Sequence, residues 1–160
     1  MGVRLRPMRD DEYDAFYEDG VERYARDIAE NGGFEYEYAH AKSIEDFART
    51  LPQGLASPDQ FVLVVEDDEG RGVGMLWWAI RQNQIGANYA FVYNVVIDEA
   101  ERGRGLGRAA MLALEDDVRA HGLDRIELNV FGGNEVARGL YRSLGFAESA
   151  VYMGKDLPAA

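Results

Sequence analysis

An apolar run, Phe91-Val92-Tyr93-Asn94-Val95-Val96-Ile97, reads as a buried strand, and Arg108-Ala109-Ala110-Met111-Leu112-Ala113-Leu114-Glu115 reads as a helix. Between them lies Arg102-Gly103-Arg104-Gly105-Leu106-Gly107. Glycines this dense at a strand-to-helix turn let the backbone come close to another group. The helix they open begins with N–H groups that have no intrahelical acceptor and with the positive end of its dipole. With Arg102 and Arg104 beside them, these features point to an anion site, best suited to the phosphates of a nucleotide-like ligand.

Three readings compete for this loop. A plain connection without a ligand would need neither the glycines nor the arginines. A dinucleotide site is written Gly-x-Gly-x-x-Gly with an acid about 20 residues further on. Glu127 is suitably placed, but the third glycine arrives one residue early and too little chain follows for the second half of such a fold. A phosphate-binding P-loop is written Gly-x-x-x-x-Gly-Lys-Ser/Thr, and the chain's Gly-Lys pair, Gly154-Lys155, is followed by Asp156 and lies outside this loop.

The third reading is a resemblance. Arg102, Gly105 and Gly107 meet the pattern Gln/Arg-x-x-Gly-x-Gly/Ala, and further on Asn134, Ala137, Leu140, Tyr141, Gly145 and Phe146 meet Asn-x-x-Ala-x-x-Leu-Tyr-x-x-x-Gly-Phe. In order and separation these resemble the GCN5-related N-acetyltransferases (GNAT), and the whole chain resembles small uncharacterised bacterial members of that family. The resemblance implies a mixed, strongly twisted α/β (α+β) sheet of six to seven strands flanked by about four helices. It also implies acetyl-CoA as acyl donor, its pyrophosphate held by the backbone of Arg102, Gly103, Arg104, Gly105, Leu106, Gly107 and Arg108. The oxyanion donor is expected at the N–H of Val96 or Ile97, on a central strand that bulges and splays from its neighbour. Asn134, Ala137 and Tyr141 are expected along the pantetheine arm, with Tyr141 beside the thioester sulfur.

Composition narrows partners and compartment. The net charge of −12 disfavours nucleic acid and suits a small cationic amine. No stretch of about 18 apolar residues suggests a membrane span. The first residues lack a signal-peptide core, so the cytoplasm is the expected location. Without cysteine, no disulfide, thiolate metal site or thiol nucleophile can form, and His40 and His121 lack metal-ligand spacing, so no metal is expected. A single domain over residues 1–160 is expected, and a homodimer is compatible with this reading.

Periodicity orders the rest of the chain. Val3 to Met8 alternates as a strand. Tyr13, Tyr17, Val21, Tyr24 and Ile28 recur at helical spacing, with Asp10 as N-cap and Asn31-Gly32-Gly33 as the stop. Ser43 and Asp46 suggest a capping box that opens a second helix. Phe61–Glu66, Val73–Ile80, Tyr89–Ile97, Arg125–Val130 and Phe146–Lys155 read as strands, the fourth parallel to the third. The adjacent Trp77 and Trp78 must point to opposite faces of their strand.

Chemistry sets what an acetyl transfer would require. An alkyl amine, with a pKa near 10, must shed a proton before it attacks. The oxyanion calls for a fixed N–H, and the thiolate, whose pKa is about 8.5, profits from a proton donor. Tyr141 is the donor the resemblance supplies. Many relatives carry a carboxylate base on the central strand, where this chain has Tyr93-Asn94. Glu35 and Glu37, flanking Tyr36, form an anionic, aromatic candidate rim for a cationic acceptor. With Tyr93 and Asn94 they complete the candidate acceptor contacts. A non-catalytic acyl-CoA-binding module would keep the loop but has no need of Tyr141.

Overall fold

The computed structural model describes residues 2–159, and residues 2–129 build one unit around a five-stranded mixed sheet. Its strands are β1 (Val3–Pro7), β2 (Gln60–Asp67), β3 (Gly72–Gln82), β4 (Asn88–Ile97) and β5 (Ile126–Leu128), ordered as they occur in the chain. The first four are antiparallel neighbours. β5 pairs parallel to β4, the arrangement that needs a long crossover, here α3 (Leu106–Ala120). Two further helices, α1 (Asp10–Gly32) and α2 (Tyr36–Thr50), lie between β1 and β2 in the chain.

The paired tryptophans show why helices cover both faces. Trp77 packs among Phe16 of α1 and Phe47 of α2, with ring centroids 5.9 and 5.4 Å away. Trp78 stacks on Phe61 at 4.3 Å and donates from its indole nitrogen to Asp117 of α3 at 3.0 Å. His121 is exposed, and its ring packs edge-on against both of those rings. Leu106, Ala110, Met111, Leu114 and Val118 form the buried stripe of α3.

α1 and α2 approach closely at Gly20, where an added Cβ would lie 2.7 Å from the Phe47 ring. The expected capping role of Ser43 is not what forms. α2 begins at Tyr36, and Ser43 sits mid-helix, buried, with its hydroxyl donating to the Val21 carbonyl at 2.8 Å. A small polar residue facing a neighbouring helix can discharge its hydroxyl on a carbonyl there, which local spacing cannot reveal.

Residues 130–159 form a second compact unit. It holds α4 (Glu135–Ser143), ended by Gly145 at φ 90°. The expected strand over Phe146–Lys155 does not form, and the described residues hold five strands rather than six to seven. Val151, Tyr152 and Met153 carry strand propensity and are exposed, but propensity makes a strand only where a ladder partner and a packing face exist. Among the described residues no helix is long and apolar enough to cross a membrane.

Candidate functional site

The site begins with a fault in the ladder between β3 and β4. Asn94 faces Trp77 and Val92 faces Trp78, which leaves Tyr93 without a counterpart on β3. This β-bulge places Tyr93 and Asn94 on the Trp77 face of the sheet, and the Tyr93 ring stacks on Trp77 at 4.5 Å. The parallel pairing with β5 ends at Val92 and Leu128, the level of the bulge. β4 therefore runs on from Tyr93 to Ile97 with its β5-side edge open.

Backbone directions along that edge follow from one bond. The N–H of Asp98 donates to the Val73 carbonyl on the β3 side at 3.0 Å. Strand N–H groups alternate, so Val96 also points to β3, while Val95 and Ile97 point to the open edge. The carbonyl of Ile97 confirms the direction independently, since it accepts from Nε of Arg102 at 3.0 Å. Of the two expected donors, Ile97 faces the edge and Val96 does not.

The glycine loop continues from this strand. Gly103 and Gly105 hold φ of 77° and 78°, the left-handed region where side chains are strained, and an added Cβ at either would meet nothing within 4 Å. The space above the loop is thus open. Gly105 caps α3, Leu106 is buried, and Gly107 and Arg108 lie in the first helical turn. The arginines serve the loop itself: Arg102 holds the Ile97 carbonyl, and Arg104 pairs with Glu101. The backbone N–H groups at the start of α3 have no intrahelical acceptor.

On the Trp77 face, α1 and the ends of β3 and β4 enclose a cleft of about 330 Å³. Its walls include Glu12, Asp19 and Arg23 from α1, Asn94 and Val96 from β4, and Asp98 just after β4. Glu12 is committed. It accepts from Arg6 at 2.9 and 3.0 Å and from the Arg9 backbone N–H at 2.8 Å, and these bonds, the Arg6 guanidinium first, hold its carboxyl down at about 2. A carboxylate held so low is a poor base at neutral pH.

The second unit carries the remaining candidates. Asn134 caps α4, its side chain accepting from the Ala137 N–H at 3.1 Å. Tyr141 packs on Phe146 with ring centroids 5.7 Å apart, and burial pushes its phenol above the usual tyrosine range. The phenol therefore keeps its proton at neutral pH. Arg138 and Arg142 share Glu148 as an ion-pair partner, each at 2.7 Å.

Residues 8–146 match the model of the Acetyltransferase (GNAT) family. The chain belongs to this family. It is 30% identical over 157 residues to YdgE of Bacillus subtilis, an uncharacterised N-acetyltransferase, covering 98% of this chain and 99% of that one. It is 31% identical to YycN of the same organism, also an uncharacterised N-acetyltransferase, over 98% of this chain and all of that one. The crystal structure of YycN superposes with a TM-score of 0.91 over 98% of this chain and 99% of its own. The mycothiol acetyltransferase of Thermobispora bispora is 36% identical over 155 residues, but the chain spans only 48% of its length. The chain is thus a GNAT-family N-acetyltransferase, a family that generally uses acetyl-CoA as acyl donor.

Membership leaves the acceptor contacts to the geometry. The cleft gathers Asn94 and Val96 of the sequence candidates. Glu35, Tyr36 and Glu37 lie exposed at the start of α2 and outside its walls, and the Tyr36 hydroxyl donates to Glu22 of α1 at 2.6 Å. Tyr93 stands beside the cleft against Trp77 rather than in its lining. Asp19, Arg23 and Asp98 were missed by sequence reasoning. The signal available was the helical spacing of Glu12, Phe16, Asp19 and Arg23, which puts charged residues on the same stripe as a core aromatic.

Proposed function

We propose that acetyl-CoA lies along the open edge of β4, with its pyrophosphate on the N–H groups of the Arg102–Gly107 loop, and that the chain transfers its acetyl group directly to a small cationic amine in the α1 cleft. The observation that carries this reading is the β4 edge, freed at the bulge and running into the glycine loop. The pantetheine arm would pair with that edge as an added strand does. The family match extends over residues from both compact units, which supports reading the chain as one acyltransferase domain.

In the reaction the amine nitrogen forms a bond to the acetyl carbon as the carbon–sulfur bond breaks. The N–H of Ile97 meets the developing oxyanion. Asp19 and Asp98 attract the ammonium form and take up its proton through water. Tyr141 returns a proton to the departing thiolate.

Free-thiol release from acetyl-CoA, measured against polyamines, amino acids, aminoglycosides and peptides, tests the reading. Turnover is expected with at least one amine cation. Robust turnover of acidic acceptors with none for any amine cation would remove it. Tyr141→Phe should lower the single-turnover rate by roughly 10- to 10⁴-fold with acetyl-CoA affinity nearly intact. That loss should shrink at high pH, where the thiolate leaves unaided. Unchanged single-turnover rates at neutral pH would take Tyr141 out of the mechanism.

A further inference from the structure

Arg23 is the one positive group in the lining of a cleft otherwise supplied with carboxylates. It stands half-buried on α1, with Asp19 four residues before it and Asp27 four residues after. Those are the spacings at which helical ion pairs close. Neither closes into an ion pair among the described residues, although the Arg23 charge is felt by the Asp27 carboxyl. The contrast with Arg6 is direct, since Arg6 in the same neighbourhood is bonded to both Glu12 and Glu66. A guanidinium presents a planar fork of donors that matches a carboxylate. Left open in a cleft, it selects a ligand that brings one.

The geometry points to an acceptor that carries a carboxylate as well as its amine, and we propose that Arg23 is the residue that reads it. This inference rests on the acceptor reading above and narrows it to basic amino acids. Asp19 and Asp98 take the ammonium groups, and Arg23 takes the carboxylate. Asp19 and Arg23 are separated by about 6 Å of helix rise, which suits an amine several bonds away from the carboxylate. The volume of about 330 Å³ suits a molecule of that size. A plain diamine can satisfy Asp19 and Asp98 but leaves Arg23 without a carboxylate to pair with, so the same residue disfavours polyamines.

The test pairs each basic amino acid with its decarboxylated counterpart: lysine with 1,5-diaminopentane, ornithine with 1,4-diaminobutane, and 2,4-diaminobutyrate with 1,3-diaminopropane. Thiol release from acetyl-CoA gives kcat/KM for each. The wild-type chain should favour the amino acid in at least one pair by about 10- to 100-fold, the range of a charge-assisted hydrogen bond, and the preference should lie in KM. Arg23→Gln should bring that ratio close to one, and Arg23→Lys should keep part of it. Ratios near one in the wild type would overturn the inference, as would a fall in Arg23→Gln shared equally by both members of a pair. Turnover of the diamines alone would overturn it too, while leaving the cationic-acceptor reading in place. Failure of all six amines would count against both.

Discussion

The glycine loop after β4 and the cleft under α1 handle charge in opposite ways. In the loop the arginines are spent locally, Arg102 on the Ile97 carbonyl and Arg104 on Glu101, and what remains for an anion is backbone. In the cleft the backbone is committed to helix and ladder, and side chains such as Asp19, Arg23 and Asp98 carry the charge. The difference suits the proposed division of labour, in which the cofactor is held by main-chain N–H groups fixed by the fold and the acceptor is read by side chains, which can be exchanged without disturbing it.

The largest break in this comparison should come from the backbone of the loop. Gly105 sits at φ 78°, so Gly105→Val strains the turn that aims the α3 N–H groups and fills the open space above it. Acetyl-CoA affinity by calorimetry should fall by about 100-fold or more in a protein that stays folded by circular dichroism. Unchanged affinity would move the anion site elsewhere. Gly107 lies within the helix, so Gly107→Ala isolates the effect of space from that of strain and should cost less.

Next in size, Asp19→Asn should act on the other side of the comparison. Steady-state kinetics should show the acceptor KM rising about 10-fold, well beyond any change in the acetyl-CoA KM, because a charge-assisted contact is lost in the cleft. An equal rise in both would mean that the two regions are not separate in function.

Smaller still, Arg104→Ala should weaken acetyl-CoA binding only about two- to threefold, with little dependence on salt, since its charge is already paired and exposed charges are screened. A large, salt-sensitive loss would show that side-chain charge contributes to the loop after all.

The smallest effect concerns stability. Glu12 is held at about 2, well below the ordinary carboxylate value, chiefly by hydrogen bonds from Arg6. Its contribution is therefore complete above the unfolded pKa of about 4.3 and fades as pH falls toward 2. Glu12→Gln should cost about 1 kcal/mol at neutral pH, a Tm drop of roughly 2–4 °C, with the gap to wild type closing in acid. A gap that persists unchanged at pH 2 would show that its pairing with Arg6 contributes nothing.

Legibility differed between the two regions for a reason visible in particular residues. The loop is local: Arg102, Gly103, Gly105 and Gly107 are consecutive or nearly so, and positive φ is a demand that glycine alone meets freely. The cleft joins α1 to the start of β3 and the end of β4, so Asp19 and Asp98 line it together from across a long stretch of chain. No spacing rule links them. Glu35, Tyr36 and Glu37, where acids and aromatics alternate, lie exposed at the start of α2 and outside the cleft's lining, a placement their spacing does not reveal.

What the sequence determined by itself was the family, the central strand leading into its glycine turn, the helical and strand periods, and the opposite faces of Trp77 and Trp78. Each follows from rules that act over a few residues: side-chain alternation, helical repeat, glycine at positive φ. Only the tertiary structure decided that β4 bulges at Tyr93 and parts from β5 at Val92, that Ser43 bonds to α1 instead of capping α2, that the chain after Phe146 adds no strand, and that Arg23 stays open while Arg6 closes. Those outcomes depend on which element lies opposite, and a ladder partner, a packing neighbour or a counter-charge is supplied by chain remote in sequence.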